Sequence, residues 1–406
     1  MNEMKSSLFA SAVDVWGEGA GRVVSNISQR AGATGVAMSV SYHDGRDIFP
    51  HNPKTALRFL EPGAVFFRSD ESVYRDGPLR PVVSELVQSD FDPLNALIAA
   101  ASDADIEVHA WTVYLHRDMG RGDEPWSIKT CFGEPLLTDL CPANPAARAY
   151  CVGLTRDVAR YNIASIATES LHYAPLEHGY HHERYFLPLS STTRFLMGLC
   201  FCQYCVGAAQ TAGVDAEAVQ RDAKVRIRAV FESGETEMAI DVDREEVENF
   251  ADGQMAGYLA MRAQIVTSLA EEVTLAAGDV PVGFGDLSGV VKGYANGLPT
   301  GDLAADTSWK IGIDWDQLRG ILRGVQALGY AYDPERVAAE LQRYVEVAGD
   351  AYVTAVFRPS VPDCDSANNL RAKVAAARAL GLDRTDFYHY GFAPLSALDL
   401  IAEALH

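Results

Sequence analysis

Hydrophobic positions along the chain fall into short apolar runs, set apart by longer stretches with a helical repeat. Eight runs carry the β-branched and aromatic content of strands: Gly35–Tyr42, Ala64–Phe67, Ile106–Leu115, Ile163–Glu169, Val280–Gly285, Trp309–Asp314, Tyr352–Phe357 and Asp386–Tyr390. Between them apolar residues return every three to four positions, which predicts helices over Pro93–Ala101, Pro145–Tyr161, Asp316–Leu328, Pro334–Ala348, Ala367–Leu380 and Ser396–Leu405. Residues 1 to 33 also read as helical. Their Gly17-Glu18-Gly19-Ala20-Gly21 follows no strand, as a dinucleotide-binding loop would require. Strand and helix alternating in this way predict an α/β fold, a (β/α)8 TIM barrel, with residues 1–406 as a single domain. Residues 190–278 break the rhythm, being too long for one crossover helix. They are expected to form a loop and helical insertion after strand four, with helices over Val214–Phe231 and Gln254–Ala276.

In such a barrel the active site sits at the C-terminal ends of the strands. The first run exits into Tyr42 and His43, the third passes His109 and Trp111, and the fourth exits at Glu169 with His172 just beyond. Later runs exit at Asp286, Asp314, Arg358 and Tyr388-His389. Aromatic rings stack on the apolar faces of sugars, while carboxylates, imidazoles and guanidinium groups bond their hydroxyls. This rim therefore points to a carbohydrate ligand, lined by Tyr42, His43, His109, Trp111, His172, Asp286, Arg358, Tyr388 and His389. On the two-residue repeat of a strand, Ile163, Ser165, Ala167 and Glu169 share a face, so small residues lead to a carboxylate at the mouth. The plainer reading of Glu169 is an ion pair with Arg194 or Arg358. A glycosidase needs two carboxyl groups, about 5–5.5 Å apart when one is the nucleophile and about 6.5–9.5 Å apart when water lies between. Glu169 is the expected proton donor and Asp314 the expected second carboxylate, with Asp286 as the alternative.

Composition narrows the partners. The chain has 34 Lys and Arg against 55 Asp and Glu, a net charge of −21, which argues against nucleic acid, whose phosphates demand basic surface. Lys224–Arg228 is locally basic and reads as a solvated helix face, and Glu232–Asp252, with nine acids and one base, as an exposed connector. No run approaches the ~18 apolar residues of a membrane span and no leader pattern opens the chain, so a soluble, cytoplasmic protein is expected. A homo-oligomer is compatible with this composition. The seven cysteines, an odd number, fit reduced or metal-bound thiols better than a disulfide framework. Three of them fall in Cys200-Phe201-Cys202-Gln203-Tyr204-Cys205, a spacing suited to zinc, with one ligand to come from elsewhere.

Cys141-Pro142-Ala143-Asn144-Pro145 together with Cys200–Cys205 resembles the family 42 glycoside hydrolases, the bacterial β-galactosidases, over roughly residues 141–205. The resemblance implies Cys141, Cys200, Cys202 and Cys205 as ligands of a Zn2+ whose four thiolates leave no open position, hence a structural ion. It also implies Glu169 as the acid/base group at the end of strand four. Thr168 stands where the family has Asn, and the segment Tyr173–Gly198 separates Glu169 from the cysteines. Phe357-Arg358-Pro359-Ser360 stands where the family carries its nucleophilic glutamate. The expectation is a glycoside-hydrolase-like enzyme acting on a small glycoside or oligosaccharide. The alternatives are a metal-dependent sugar isomerase, epimerase or lyase using Glu169, Asp286 and histidines around a second ion, or a sugar-binding barrel without catalysis.

Overall fold

Eight parallel strands close on themselves. A computed structural model describes residues 4–118, 124–178, 184–234, 240–289 and 296–406. The barrel strands are β1 (Lys5–Ala10), β2 (Gly35–Tyr42), β3 (Glu107–Val113), β4 (Ser165–Glu169), β5 (Val282–Gly285), β6 (Gly324–Leu328), β7 (Tyr352–Phe357) and β8 (Arg384–Phe387). Closure comes at β1, which pairs in parallel with β8 (Leu8↔Phe387) and with β2 (Leu8↔Val36). The result is the α/β TIM barrel that the alternation predicts.

The expected count of eight survives two substitutions that cancel. Lys5–Ala10 is a strand, although it opens a segment that reads as helical. Its Ser6 and Ser7 are fully buried, and the Ser7 N–H donates to Asp386 Oδ1 at 2.8 Å, so partners nearly four hundred residues away make this polar run a strand. Ala64–Val65 is a two-residue antiparallel extension of the end of β2 and lies outside the ring. Gly324–Leu328 is β6, although the helical repeat over Asp316–Leu328 runs through it. The expected sixth strand, Trp309–Asp314, is instead a 3-10 turn over Ser308–Ile311 followed by a helix cap.

The outer helices are legible from their ends. Asp92, Asn144 and Asp333 each accept a backbone N–H of the first turn, and Pro93, Pro145 and Pro334 follow in the position that needs no N–H donor. The insertion forms helices Ser191–Met197, Gln203–Thr211, Ala216–Ser233, Arg244–Glu248 and Gln254–Ala276. These gather an apolar cluster of their own around Phe195, Phe201, Val219, Ile227, Phe250 and Tyr258. Within the acidic connector, residues 235–239 lie outside the described residues. Among the described residues no helix is long and apolar enough to cross a membrane.

Candidate functional site

Glu169 ends β4 and sits half-buried at the C-terminal mouth of the barrel. Trp111, one strand over on β3, donates its Nε1–H to Glu169 Oε2 at 2.7 Å. Burial is the dominant influence on this carboxyl and outweighs the indole bond, so its pKa is pushed up to about 7. Trp111 can only donate, so Oε2 is the accepting oxygen and Oε1 is left to carry a proton. The next residue, Ser170, takes a left-handed conformation (φ 55°), and β3 continues to hold the turn. Tyr114 N–H donates to Glu169 O at 3.0 Å and Leu115 N–H to Ser170 O at 3.1 Å.

Around Trp111 the strand ends deliver an aromatic ring. Phe9 from β1 packs edge-on at 5.2 Å, Tyr42 from β2 at 4.9 Å, and Tyr388 and His389 beyond β8 at 5.7 and 6.0 Å. Tyr330, two residues past β6, lies 6.0 Å from Tyr388. Tyr42, Glu169 and Tyr388 are half-buried, whereas Phe9, Trp111, Tyr330 and His389 are buried behind them. His389 Nδ1 accepts the Gly391 N–H at 3.0 Å, so a neutral ring carries its proton on Nε2. Burial holds its pKa down near 3.

Of the residues expected to line the site, the structure brings Tyr42, Trp111, Tyr388 and His389 together with Glu169. Phe9 and Tyr330 complete the group; no sequence signal marked them, because both follow from strands hidden in helix-like or polar patterns.

The other expected residues have different surroundings. His109 points into the barrel two residues below Trp111. Arg384 Nη2 donates to its Nε2 at 2.6 Å, so Nδ1 carries the proton and faces Ser165 Oγ at 2.8 Å. It belongs to a polar layer with Glu107 and Asp386 at the opposite end from the mouth, where burial lowers its pKa. Asp286 is fully enclosed, and its oxygens accept from Ser288 N at 2.8 Å, Tyr344 OH at 2.8 Å and the Ser308 hydroxyl. It anchors the loop after β5 and offers no face to a ligand. Asp314 is the cap of the short helix Trp315–Leu318, accepting from Asp316 N, Gln317 N and Gln317 Nε2 at 3.0, 3.2 and 2.7 Å. With no barrel strand before it, the structure gives it a capping role. Arg358 makes a two-pronged pair with Asp363 (2.6 and 2.8 Å) and lies over Tyr330 at 4.7 Å, so it supports the aromatic ring from behind. His172 is buried beside Phe284, its Nδ1 2.9 Å from Tyr173 O, and burial lowers its pKa.

His43 stacks on Tyr42 at 4.2 Å and on His116 at 4.1 Å, and with Asp118 these imidazoles form a group whose ligand atoms lie within 4.8 Å of one another. Burial pushes the Asp118 carboxyl up to about 7. The two rings are within 12° of parallel, so their in-plane lone pairs run side by side and do not converge on one ion.

Cys141, Cys200, Cys202 and Cys205 come together in the structure. Cys141 precedes the helix Pro145–Val158, Cys200 and Cys202 lie between two insertion helices, and Cys205 is in the first turn of Gln203–Thr211; all four are buried. Sγ of Cys141 is 3.5 Å from that of Cys205 and 3.6 Å from those of Cys200 and Cys202. A tetrahedral ion with Zn–S bonds of about 2.3 Å requires sulfur–sulfur edges of roughly 3.8 Å, so the four thiols fit such an ion with little movement. Contacts with the Cys141, Cys200 and Cys205 thiols hold the Cys202 thiol below its usual range. The Lys129 N–H donates to Cys200 Sγ at 3.4 Å, and Tyr173 OH lies 3.3 Å from Cys205 Sγ. Tyr173 thus links the cluster to the loop that begins at Glu169.

The sequence matches no protein-family model and no curated protein. Solved structures do match. An α-L-fucosidase isoenzyme 2 from Paenibacillus thiaminolyticus has TM-score 0.55 at 13% identity, covering 100% of this chain and 49% of its own. The catalytic domain of a β-amylase from Paenibacillus polymyxa has TM-score 0.52 at 11% identity, covering 98% and 94%. A β-galactosidase from the psychrophilic Marinomonas ef1 has TM-score 0.52 at 9% identity, covering 99% and 58%. The chain therefore spans about half the fucosidase and somewhat more of the β-galactosidase. These structural neighbours are glycoside hydrolases, and at such identities the likeness establishes the barrel fold and nothing finer.

Proposed function

We propose that this chain is a glycoside-hydrolase-like enzyme that acts on a small glycoside or oligosaccharide, with Glu169 as the general acid. The observation that carries the reading is Glu169 itself: a half-buried carboxyl at the mouth of the barrel, held by Trp111 Nε1–H at 2.7 Å inside a rim of aromatic rings. A carboxyl with its pKa near 7 holds a proton on about half of the molecules at pH 7 and can deliver it to a glycosidic oxygen as the bond to the anomeric carbon breaks, water then supplying a hydroxyl to that carbon and a proton back to Glu169. The half-buried rings of Tyr42 and Tyr388 offer faces for a sugar to stack on. The Nε2–H of His389, which has no partner among the described residues, lies buried behind these rings. Asp314 and Asp286 are not assigned as the second carboxyl group, since their oxygens are engaged in a helix cap and a loop anchor.

We further propose that Cys141, Cys200, Cys202 and Cys205 hold a structural Zn2+, as in the family 42 enzymes that the two cysteine segments resemble. Bound there, the ion cross-links chain segments and activates no water. Cys141 and its helix are tied to the insertion, and Tyr173 carries that restraint to the loop after Glu169.

The test is hydrolysis of paired nitrophenyl and methyl glycosides of galactose, fucose and glucose. An acid catalyst matters most when the leaving group is poor, so Glu169→Gln should lower kcat/KM by about 10²–10⁴-fold on methyl glycosides and by less on nitrophenyl ones. Undiminished activity in that variant refutes the assignment. Failure of the unaltered protein to hydrolyse any of the six points to a sugar-binding barrel without catalysis.

A further inference from the structure

Arg262, in the long insertion helix Gln254–Ala276, is only 2% exposed and has no carboxylate partner among the described residues. Its guanidinium lies over the Tyr173 ring at 4.3 Å and Nη1 donates to Lys310 O at 3.0 Å, while Nε has no acceptor among the described residues. Ser288, just past β5, presents a second orphan: its backbone N–H is spent on Asp286 Oδ1, and its buried Oγ has no partner among the described residues. Both residues line the same cavity of about 40 Å³, with Lys310 in its wall and Phe195 and Ile311 as its apolar sides. Buried charges in folded proteins are paired, and a buried donor without an acceptor is costly. Glu177 reaches the cavity from its exposed edge and forms no ion pair with Arg262. The cysteine cluster meets the Tyr173 hydroxyl, and Nε finds no acceptor there among the described residues.

Two buried donors, one of them on a cation that makes no ion pair among the described residues, call for a ligand that is both acceptor and anion. Water satisfies the donors but brings no charge into contact with a cation whose neighbouring negative groups, Glu177 at the exposed edge and the thiols by the Tyr173 hydroxyl, make no direct bond to it. The volume holds two or three water-sized groups and excludes a sugar ring. We propose that this cavity is a monovalent-anion site, taking chloride or a formate-sized carboxylate, with Arg262 Nε and Ser288 Oγ as its donors. The bound anion braces the loop Ala174–Glu177, downstream of Glu169, against the β5 loop and the insertion helix. The site stands independently of any catalytic role for Glu169.

Thermal unfolding of the full chain is compared in sodium chloride, bromide, formate and gluconate at equal ionic strength. The first three should raise Tm saturably by about 2–4 °C with half-saturation in the millimolar range, and gluconate, too large for the cavity, should not. Ser288→Ala should raise the half-saturation concentration at least about fivefold, and Arg262→Gln should abolish the response. If Arg262→Gln does not fold, Ser288→Ala decides. Crystals grown in bromide should show an anomalous peak between Arg262 and Ser288. Equal Tm in all four salts, an unchanged Ser288→Ala response, or a cavity holding only water in bromide overturns the proposal.

Discussion

Replacing Glu169 by Gln tests the state of this carboxyl without any substrate. Its pKa is raised from the ordinary 4.5 to about 7 by burial, so between those values the native protein keeps a proton that the unfolded chain gives up. The unfolded state then binds fewer protons, and stability falls as pH rises through this window. Below pH 4.5 both states are protonated and nothing is lost; above 7 both are ionised and the full cost stands. A shift of roughly 2.5 pH units corresponds to about 3 kcal/mol. The amide introduced by Glu169→Gln keeps an oxygen for Trp111 Nε1–H and has no charge to bury, so the variant escapes that cost. The two proteins should unfold alike near pH 4, and the variant should lead by up to about 3 kcal/mol at pH 8, or about 4 °C in Tm for a chain of this size. Asp14, Asp118 and Asp139, also pushed up to about 7 by burial, titrate in both proteins and cancel in the difference. The assay is urea unfolding at five pH values between 4 and 8. A stability difference that does not change with pH refutes the desolvated, proton-holding Glu169 on which the acid role depends.

Two further predictions concern the cysteines and the discarded carboxylate. Native mass spectrometry should find one zinc per chain, lost in Cys202→Ser together with a fall in Tm; metal-free protein whose four thiols alkylate readily in the folded state would rule the site out. Asp314→Ala should cost about 1 kcal/mol in urea unfolding, as expected for a lost helix cap, and leave turnover unchanged; a hundredfold loss of activity would restore it as a reacting group.

Much of the site is readable in the chain because strand exits are. Tyr42 and Glu169 stand at the ends, and Trp111 and Tyr388 within, runs whose apolar content marks them as strands, and they converge once the barrel closes. Phe9 and Tyr330 escape notice because β1 contains buried serines and β6 continues a helical repeat. Asp314 misleads because Trp309, Ile311 and Ile313 alternate like a strand while packing in a turn and a cap. His109 misleads for another reason: the two-residue repeat tells which face a side chain takes, not at what height. Two residues along a strand are about 6.6 Å, enough to place His109 among Glu107, Ser165 and Arg384 while Trp111 reaches Glu169.

What the sequence determined by itself is local: helices with Asp-Pro or Asn-Pro starts, short apolar strands, and a clustered trio of thiols. Only the tertiary structure decided which runs close the barrel and which carboxyl groups are consumed by caps and anchors. It also placed Arg262 in a buried position where it makes no ion pair among the described residues. Those outcomes depend on neighbours hundreds of residues apart, and no local pattern of polarity encodes the depth or the partner of a side chain.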